Sequence, residues 1–305
     1  MKYYLISAAL IFLAVLVILL IPSLTNFSEK VLTISEVIVP NKSEVAGVQR
    51  FVYPPSFKGL PAPDLTARAI LIKDLDSGSI LYSKEASERL PIASTTKIMT
   101  ALVASSYFQP NSVLVASSSA FIGGSKVGLL PGEKLTFRSL LFGMLLNSGN
   151  DAAFCIGENY PGGVNGFVAA MNKKALELGL TNTHFDNPAG FDSPSHYSSA
   201  SDLSQITEEA LKNPDLTKVF ATKQTEIFSI DKKISHNLVN LNILLTKLKG
   251  VLGVKTGYTD IAKENFVGLV NRDGHRILTV VLGSDDRFGE TSQLVEWTYS
   301  SFTWQ

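Results

Sequence analysis

A single cysteine, Cys155, stands among 305 residues, which excludes an internal disulfide and any thiolate metal cluster. It lies in the apolar run Ala152 to Ile156 and reads as buried filler, because an unpaired Cys behaves as a small hydrophobe. An excess of one charge is also missing. The 27 Lys plus Arg are matched by 27 Asp plus Glu, so no field marks out a nucleic-acid partner and a small or locally charged ligand is expected. The four histidines, His184, His196, His236 and His275, lack the HxxxH or HExxH spacing that sets two imidazoles on one helical face, so no metal site is expected. His184 and His196 flank a loop rich in Asn, Pro, Gly and Ser and read as hydrogen-bonded or solvated, with no chemistry assigned.

Apolar residues are plentiful, at 45%, enough for the core of one large domain or two small ones and too many for a disordered chain. Tyr3 to Ile21 is almost wholly apolar, and at about 1.5 Å per residue it can cross a hydrocarbon layer of about 30 Å. Lys2 precedes it, the orientation that leaves the remainder outside the cytoplasm. A cleaved signal peptide would carry a shorter apolar region and then Ala-x-Ala, whereas Pro22, Ser23, Leu24, Thr25 and Asn26 follow here. Residues 1–24 therefore read as a membrane anchor, with secretion after cleavage as the alternative. Residues 25–62, with Pro40, Pro54, Pro55 and Pro61, read as a tether in which only Ile34 to Val39 suggests a short strand. Residues 63–305 read as the folded domain.

Within that domain, Ala69 to Asp74 and Ser79 to Ser83 are β-rich runs around Leu75, Asp76, Ser77 and Gly78, a hairpin signal. Asn265 to Val270 and His275 to Leu282 flank Asn271, Arg272, Asp273 and Gly274, a second hairpin, and Gly289 to Phe302 reads as a last helix. From Ser94 to about Leu245 the pattern is mostly helical. Thr136 caps the run Leu140, Leu141, Met144, Leu145, and Val164 to Leu178 closes on Gly179. Strands at both ends with helices between imply a mixed α/β domain: an antiparallel sheet built from both chain ends, with an inserted helical lobe.

Three segments carry polar groups suited to chemistry. Pro91 to Val103, PIASTTKIMTALV, sets Ser94 at a helix start and Lys97 three residues on, one turn away on the same face. A serine hydroxyl needs a base, and a lysine serves only if desolvation, neighbouring charge or the field of the helix N-terminus lowers its pKa. Asn147 to Asp151, NSGND, follows an apolar helix and puts Ser148 and Asn150 in a polar turn. Gly253 to Thr259, GVKTGYT, opens the last β-rich region, with Lys255 and Thr256 able to hold an anion and Gly257 allowing close backbone approach. Each alone is ordinary: a capped helix with a Lys, a helix terminus, a loop with a Lys.

In the order SxxK, SxN, KTG they match the set of penicillin-binding proteins and serine β-lactamases. From about Ala62 to Phe302 the chain resembles the low-molecular-mass D,D-carboxypeptidases of peptidase family S11. Family-like stretches are Gly128 to Glu133 (GLLPGE), Leu145 to Ala153 (LLNSGNDAA), Asn187 to Asp192 (NPAGFD), Ser198 to Leu203 (SSASDL), Asn240 to Leu245 (NLNILL) and Gly274 to Gly283. The resemblance implies a β-lactamase/transpeptidase-like fold and a serine-type D-Ala-D-Ala carboxypeptidase acting on peptidoglycan pentapeptide, with β-lactams as inhibitors and no metal or organic cofactor. It implies that Ser94 is the nucleophile, Lys97 the base and Ser148 the proton donor to the leaving nitrogen. Asn150 would hold the substrate amide and Lys255 with Thr256 the carboxylate, while the Ser94 and Tyr258 N–H groups beside Gly257 form the oxyanion hole. Two departures stand out. Asp260 to Glu264 lacks the Gly usual near Lys263, and Lys218 to Lys233 offers Lys218, Lys223, Lys232 and Lys233 where the family often has an Arg. A β-lactamase would need another carboxylate to activate water. Glu158 and Glu177 fall in predicted helices and Asp186 is the nearest loop candidate. A silent wall-binding relative would have lost Ser94, Lys97 or Lys255, and all three are present. An endopeptidase would use the same residues.

Overall fold

Alternating side chains split the strands of this chain between two cores, and the sheet between them fixes where the site lies. The computed structural model describes residues 53–304; the anchor segment Tyr3 to Ile21 and the strand expected at Ile34 to Val39 lie outside the described residues. In chain order the strands are β1 (Ser56–Phe57), β2 (Ala69–Asp74), β3 (Ile80–Lys84), β4 (Val113–Val115), β5 (Lys134–Thr136), β6 (Gln224–Phe228), β7 (Ser235–Val239), β8 (Val251–Thr259), β9 (Lys263–Arg272), β10 (His275–Ser284) and β11 (Phe302–Thr303). Five of them form one antiparallel sheet in the order β3, β2, β10, β9, β8. The N-terminal β2 therefore pairs with the C-terminal β10, as the sequence pattern implied. Ile70 and Ile72 of β2 face a core with Phe266, Val270, Ile277 and Val281, which α8 (Arg287–Ser301) covers with Leu294 and Val295. Ala69 and Leu71 face the opposite core, with Val267, Leu269, Leu278, Val280 and the helices. Each such side chain contributes about 1.5 to 3 kcal/mol on burial, so a one-residue slip that exchanged the faces would be prohibitive. Asp273 and Gly274, both at positive φ, make the β9–β10 turn.

The lobe comprises α1 (Lys97–Ser105), α2 (Phe137–Leu145), α3 (Asn150–Glu158), α4 (Gly163–Glu177), α5 (Ala200–Leu211) and α6 (Pro214–Ala221), and the four-residue α7 (Leu244–Lys247) follows it. Thr136 caps α2, accepting the Ser139 N–H at 3.1 Å, and Gly179 sits at φ 70° just past α4. The mostly helical reading needs correction in two places, because β4 pairs with β5 and β6 with β7. These pairs are three and five residues long, too short for a period-2 pattern to stand out beside the helices.

Candidate active site

Three elements converge at the edge of the sheet. Ser94 lies in a 3₁₀ turn, Ala93–Thr96, that leads into α1, so the α-helix begins at Lys97 and not at Ser94. The spacing of three still holds, since residues i and i+3 of a 3₁₀ turn share a face. Ser148 and Asn150 come from the α2–α3 junction, and Lys255 to Tyr258 from β8, the edge strand. A Cβ on Gly257 would stand 3.0 Å from the Ile92 carbonyl oxygen and 3.1 Å from the Ser94 nitrogen. Glycine is what lets β8 close on the nucleophile turn.

Lys97 Nζ lies 2.8 Å from Ser94 Oγ, 2.8 Å from Asn150 Oδ1 and 2.7 Å from the Ala189 carbonyl oxygen. It is fully buried, and burial holds its pKa well below the usual lysine range. The nearby charge of Lys255 lowers it further, against the opposing Asp151 carboxylate. A neutral amine satisfies all three contacts, giving two N–H bonds to Asn150 and Ala189 and accepting the Ser94 hydroxyl proton with its lone pair. Desolvation, one of the causes expected from the sequence, is the largest. Lys255 Nζ donates to Ser148 Oγ at 3.0 Å and to the Thr256 carbonyl at 2.9 Å. Its pKa is lowered to about 7, by burial first and then by Arg287. A bound carboxylate would favour its charged form. Two buried lysines thus lie near each other, Lys97 bonded to Ser94 and Asn150 and Lys255 to Ser148.

Ser148 sits at φ 57° and is only 3% exposed. No side chain caps α3. Instead Asp151, in its first turn, accepts the N–H groups of Val127, Gly128 and Leu129 at 2.8 to 3.1 Å, which ties the 123–129 loop to the helix bearing Asn150. Asn150 Nδ2 donates to the Gly123 carbonyl at 3.0 Å. Thr256 is buried and Tyr258 exposed, its hydroxyl donating to Asp260 at 2.9 Å. Among the described residues no group of three or more His, Cys, Asp or Glu is gathered to hold a metal.

Sequence reasoning missed several contributors. The NPAGFD stretch is a built turn: Asn187 Oδ1 accepts the N–H groups of Ala189, Gly190 and Phe191 at 2.7 to 3.1 Å, which turns the Ala189 carbonyl onto Lys97. Its repeated polar and glycine pattern was visible, but its target was not. Arg287, at the start of α8, donates from Nη1 to the Gly257 carbonyl at 2.9 Å. It is an arginine near Lys255, whose pKa it lowers, and it comes from outside the Lys218 to Lys233 segment. The Gly expected near Lys263 is replaced by a left-handed residue, Lys263 at φ 56°. The turn is braced by Thr259, whose hydroxyl donates to Asp192 and accepts the Ala262 N–H. Glu158 takes five donors from Ser117, Ser118 and Ser119. Asp186 accepts from the hydroxyls of Ser193 and Ser195.

The model of the D-alanyl-D-alanine carboxypeptidase family, peptidase S11, matches residues 57–286. D-alanyl-D-alanine carboxypeptidase DacF of Bacillus subtilis is 36% identical over 246 residues, covering 77% of this chain and 63% of that protein. DacB2 of Mycobacterium tuberculosis, described by the same activity, is 36% identical over 250 residues, covering 79% and 85%. Among solved structures, the Streptomyces K15 DD-transpeptidase superposes with a TM-score of 0.75 at 30% identity, covering 79% of this chain and 100% of that one.

Proposed function

The chain belongs to the D-alanyl-D-alanine carboxypeptidase family, peptidase S11, and from that premise we propose that it removes the terminal D-alanine from peptidoglycan stem peptides through an acyl-enzyme on Ser94. The observation that carries this reading is the 2.8 Å contact between Ser94 Oγ and a fully buried Lys97 whose pKa is lowered well below the usual lysine range.

In this reading Ser94 Oγ attacks the carbonyl carbon between the two D-alanines while its proton passes to neutral Lys97. The new O–C bond gives a tetrahedral oxyanion facing the N–H groups of Ser94 and Tyr258, each such donor being worth roughly 3 kcal/mol in known cases. The C–N bond then breaks as Ser148, bonded to Lys255, passes a proton to the leaving nitrogen. D-alanine departs, and the proton that Lys97 took from Ser94 passes on to Ser148, which leaves Lys97 neutral again. A water then attacks the acyl carbon and gives a proton to Lys97, and the Ser94 O–C bond breaks as that proton returns to Ser94 Oγ. Lys255 and Thr256 hold the terminal carboxylate. Asn150, with Oδ1 committed to Lys97 and one Nδ2 hydrogen to the Gly123 carbonyl, has its second Nδ2 hydrogen for the substrate amide carbonyl. The engagement of Glu158 and Asp186 with serine donors supports a peptidase over a β-lactamase, because neither carboxylate is left over to activate water. β-Lactams are accordingly expected as long-lived acylating inhibitors.

The same proposal takes residues 63–305 as the catalytic domain, outside the cytoplasmic membrane, tethered by 25–62 to an anchor in 1–24. Among the described residues no helix is long and apolar enough to cross a membrane. Two measurements test the activity. Mass spectrometry of muropeptides after incubation should show loss of one alanine, and Ser94→Ala should abolish both that loss and labelling by a fluorescent penicillin. Cleavage of cross-links in place of alanine release would redirect the reading to an endopeptidase.

A further inference from the structure

His196 takes no part in the mechanism above, yet it is 3% exposed and lies two hydrogen bonds from the Ala93 carbonyl of the nucleophile turn. Its Nδ1 accepts the Asp186 backbone N–H at 3.0 Å. A backbone amide can only donate, so Nδ1 carries no proton and the neutral ring carries it on Nε2. Nε2 lies 2.8 Å from Thr96 Oγ1, and the Thr96 hydroxyl donates its one proton to the Ala93 carbonyl at 2.8 Å. The direction of every bond is therefore set, from Asp186 N–H through His196 and Thr96 to the Ala93 oxygen. Of the charged or titratable groups near the ring, Asp186 favours its protonation and His184 and Lys97 oppose it. Burial is the largest influence and lowers the pKa to about 4.

The Ala93 carbonyl and the Ser94 N–H belong to one planar trans peptide. Whatever fixes the oxygen fixes the direction of the N–H. Ala93 is held at φ 46°, a conformation a non-glycine residue keeps only when its surroundings impose it. Gly190 closely approaches the same oxygen, since a Cβ there would lie 1.9 Å from it. We propose that His196 is a positioning residue: acting through Thr96, it locks the Ala93–Ser94 peptide and aims the Ser94 N–H at the developing oxyanion.

This rests on the acyl-enzyme reading, and the test separates the two. Acylation by a fluorescent penicillin is resolved into a binding constant and an acylation rate constant, with folded fraction followed by circular dichroism. Thr96→Val keeps shape but removes the hydroxyl and should lower the acylation constant about 10- to 100-fold, with binding changed by less than about twofold. Thr96→Ser should restore it to within about threefold. His196→Phe keeps a ring against Phe185 and should also slow acylation, but add nothing in the Thr96→Val background, because the relay is already cut. Should Thr96→Val fail to fold, the same comparison is made with His196→Phe against wild type and Thr96→Ser. A Thr96→Val protein that acylates at the wild-type rate, or losses that multiply in the double variant, overturns the inference and leaves the enzyme reading standing. An unlabelled wild type overturns both.

Discussion

Replacing Lys97 by Arg separates a base from a charge. The arginine keeps a cation in the site, but with a pKa above about 12 it cannot accept the Ser94 proton. Loss of a positioned general base costs about 10²- to 10⁴-fold, or about 3 to 5 kcal/mol on the acylation barrier. The geometry argues for the upper part of that range. Nζ is enclosed by Ser94 Oγ, Asn150 Oδ1 and the Ala189 carbonyl at 2.7 to 2.8 Å, so a larger guanidinium displaces at least one of them. It also sets a permanent charge beside Lys255, which already lowers the Lys97 pKa. Overpacking of this kind destabilises by about 1 to 3 kcal/mol, which for a domain of this size means a fall in Tm of up to about 10 °C. The protein should therefore fold, and the comparison remains meaningful. The assay is stopped-flow acylation by a fluorescent penicillin, with D-alanine release from a diacetylated tripeptide as the second readout. Retention of more than about a tenth of the wild-type acylation rate would refute the assignment of Lys97 as base and leave it an electrostatic role.

Gly190→Ala should be far worse than Gly274→Ala, although both sit near φ 90°. The first Cβ would stand 1.9 Å from the Ala93 oxygen while the second meets nothing within 4 Å, so melting curves should differ by several degrees and only Gly190→Ala should lose acylation. Because burial lowers the Lys255 pKa from 10.5 to about 7, the unfolded chain binds more protons between those values. Stability should then rise with pH across that window, by up to about 1.4 kcal/mol per pH unit, and the penalty is fully present below about 7. Urea unfolding at pH 7 and 9.5 should show this slope weakened in Lys255→Met, and an unchanged slope would contradict the buried-amine account. Penicillin should release over minutes or longer, because the penicilloyl group keeps its ring and obstructs water; rapid multiple-turnover loss of β-lactam absorbance would make Asp186 the first residue to mutate. Protein beginning at Ser28 should be soluble and active while the full chain resists high-salt extraction from membranes, and a mature N-terminus between about Ser23 and Lys30 in the native host would indicate cleavage instead.

Local chemistry made much of this protein legible from its residues alone. β-Rich runs around Gly78 and Gly274 marked both hairpins, because β-branched and apolar clusters broken by turn residues leave a signature within ten residues. SxxK was readable for the same reason, since a spacing of three puts Ser94 and Lys97 on one face whether the turn is α or 3₁₀. The short pairs β4–β5 and β6–β7 were not, since three to five residues carry too little pattern to compete with adjacent helices. Long-range convergence was also beyond the sequence. Lys97 meets Asn150 across 53 positions and Ala189 across 92, Lys255 meets Ser148 across 107, and Arg287 reaches Gly257 from a helix on the far side of the sheet. The chain determined which groups could act as nucleophile, base and anion holder, because that depends on residue type and local spacing. Only the tertiary structure decided the direction in which the Lys97 pKa moves, because the burial and neighbouring charge that lower it are brought by distant segments.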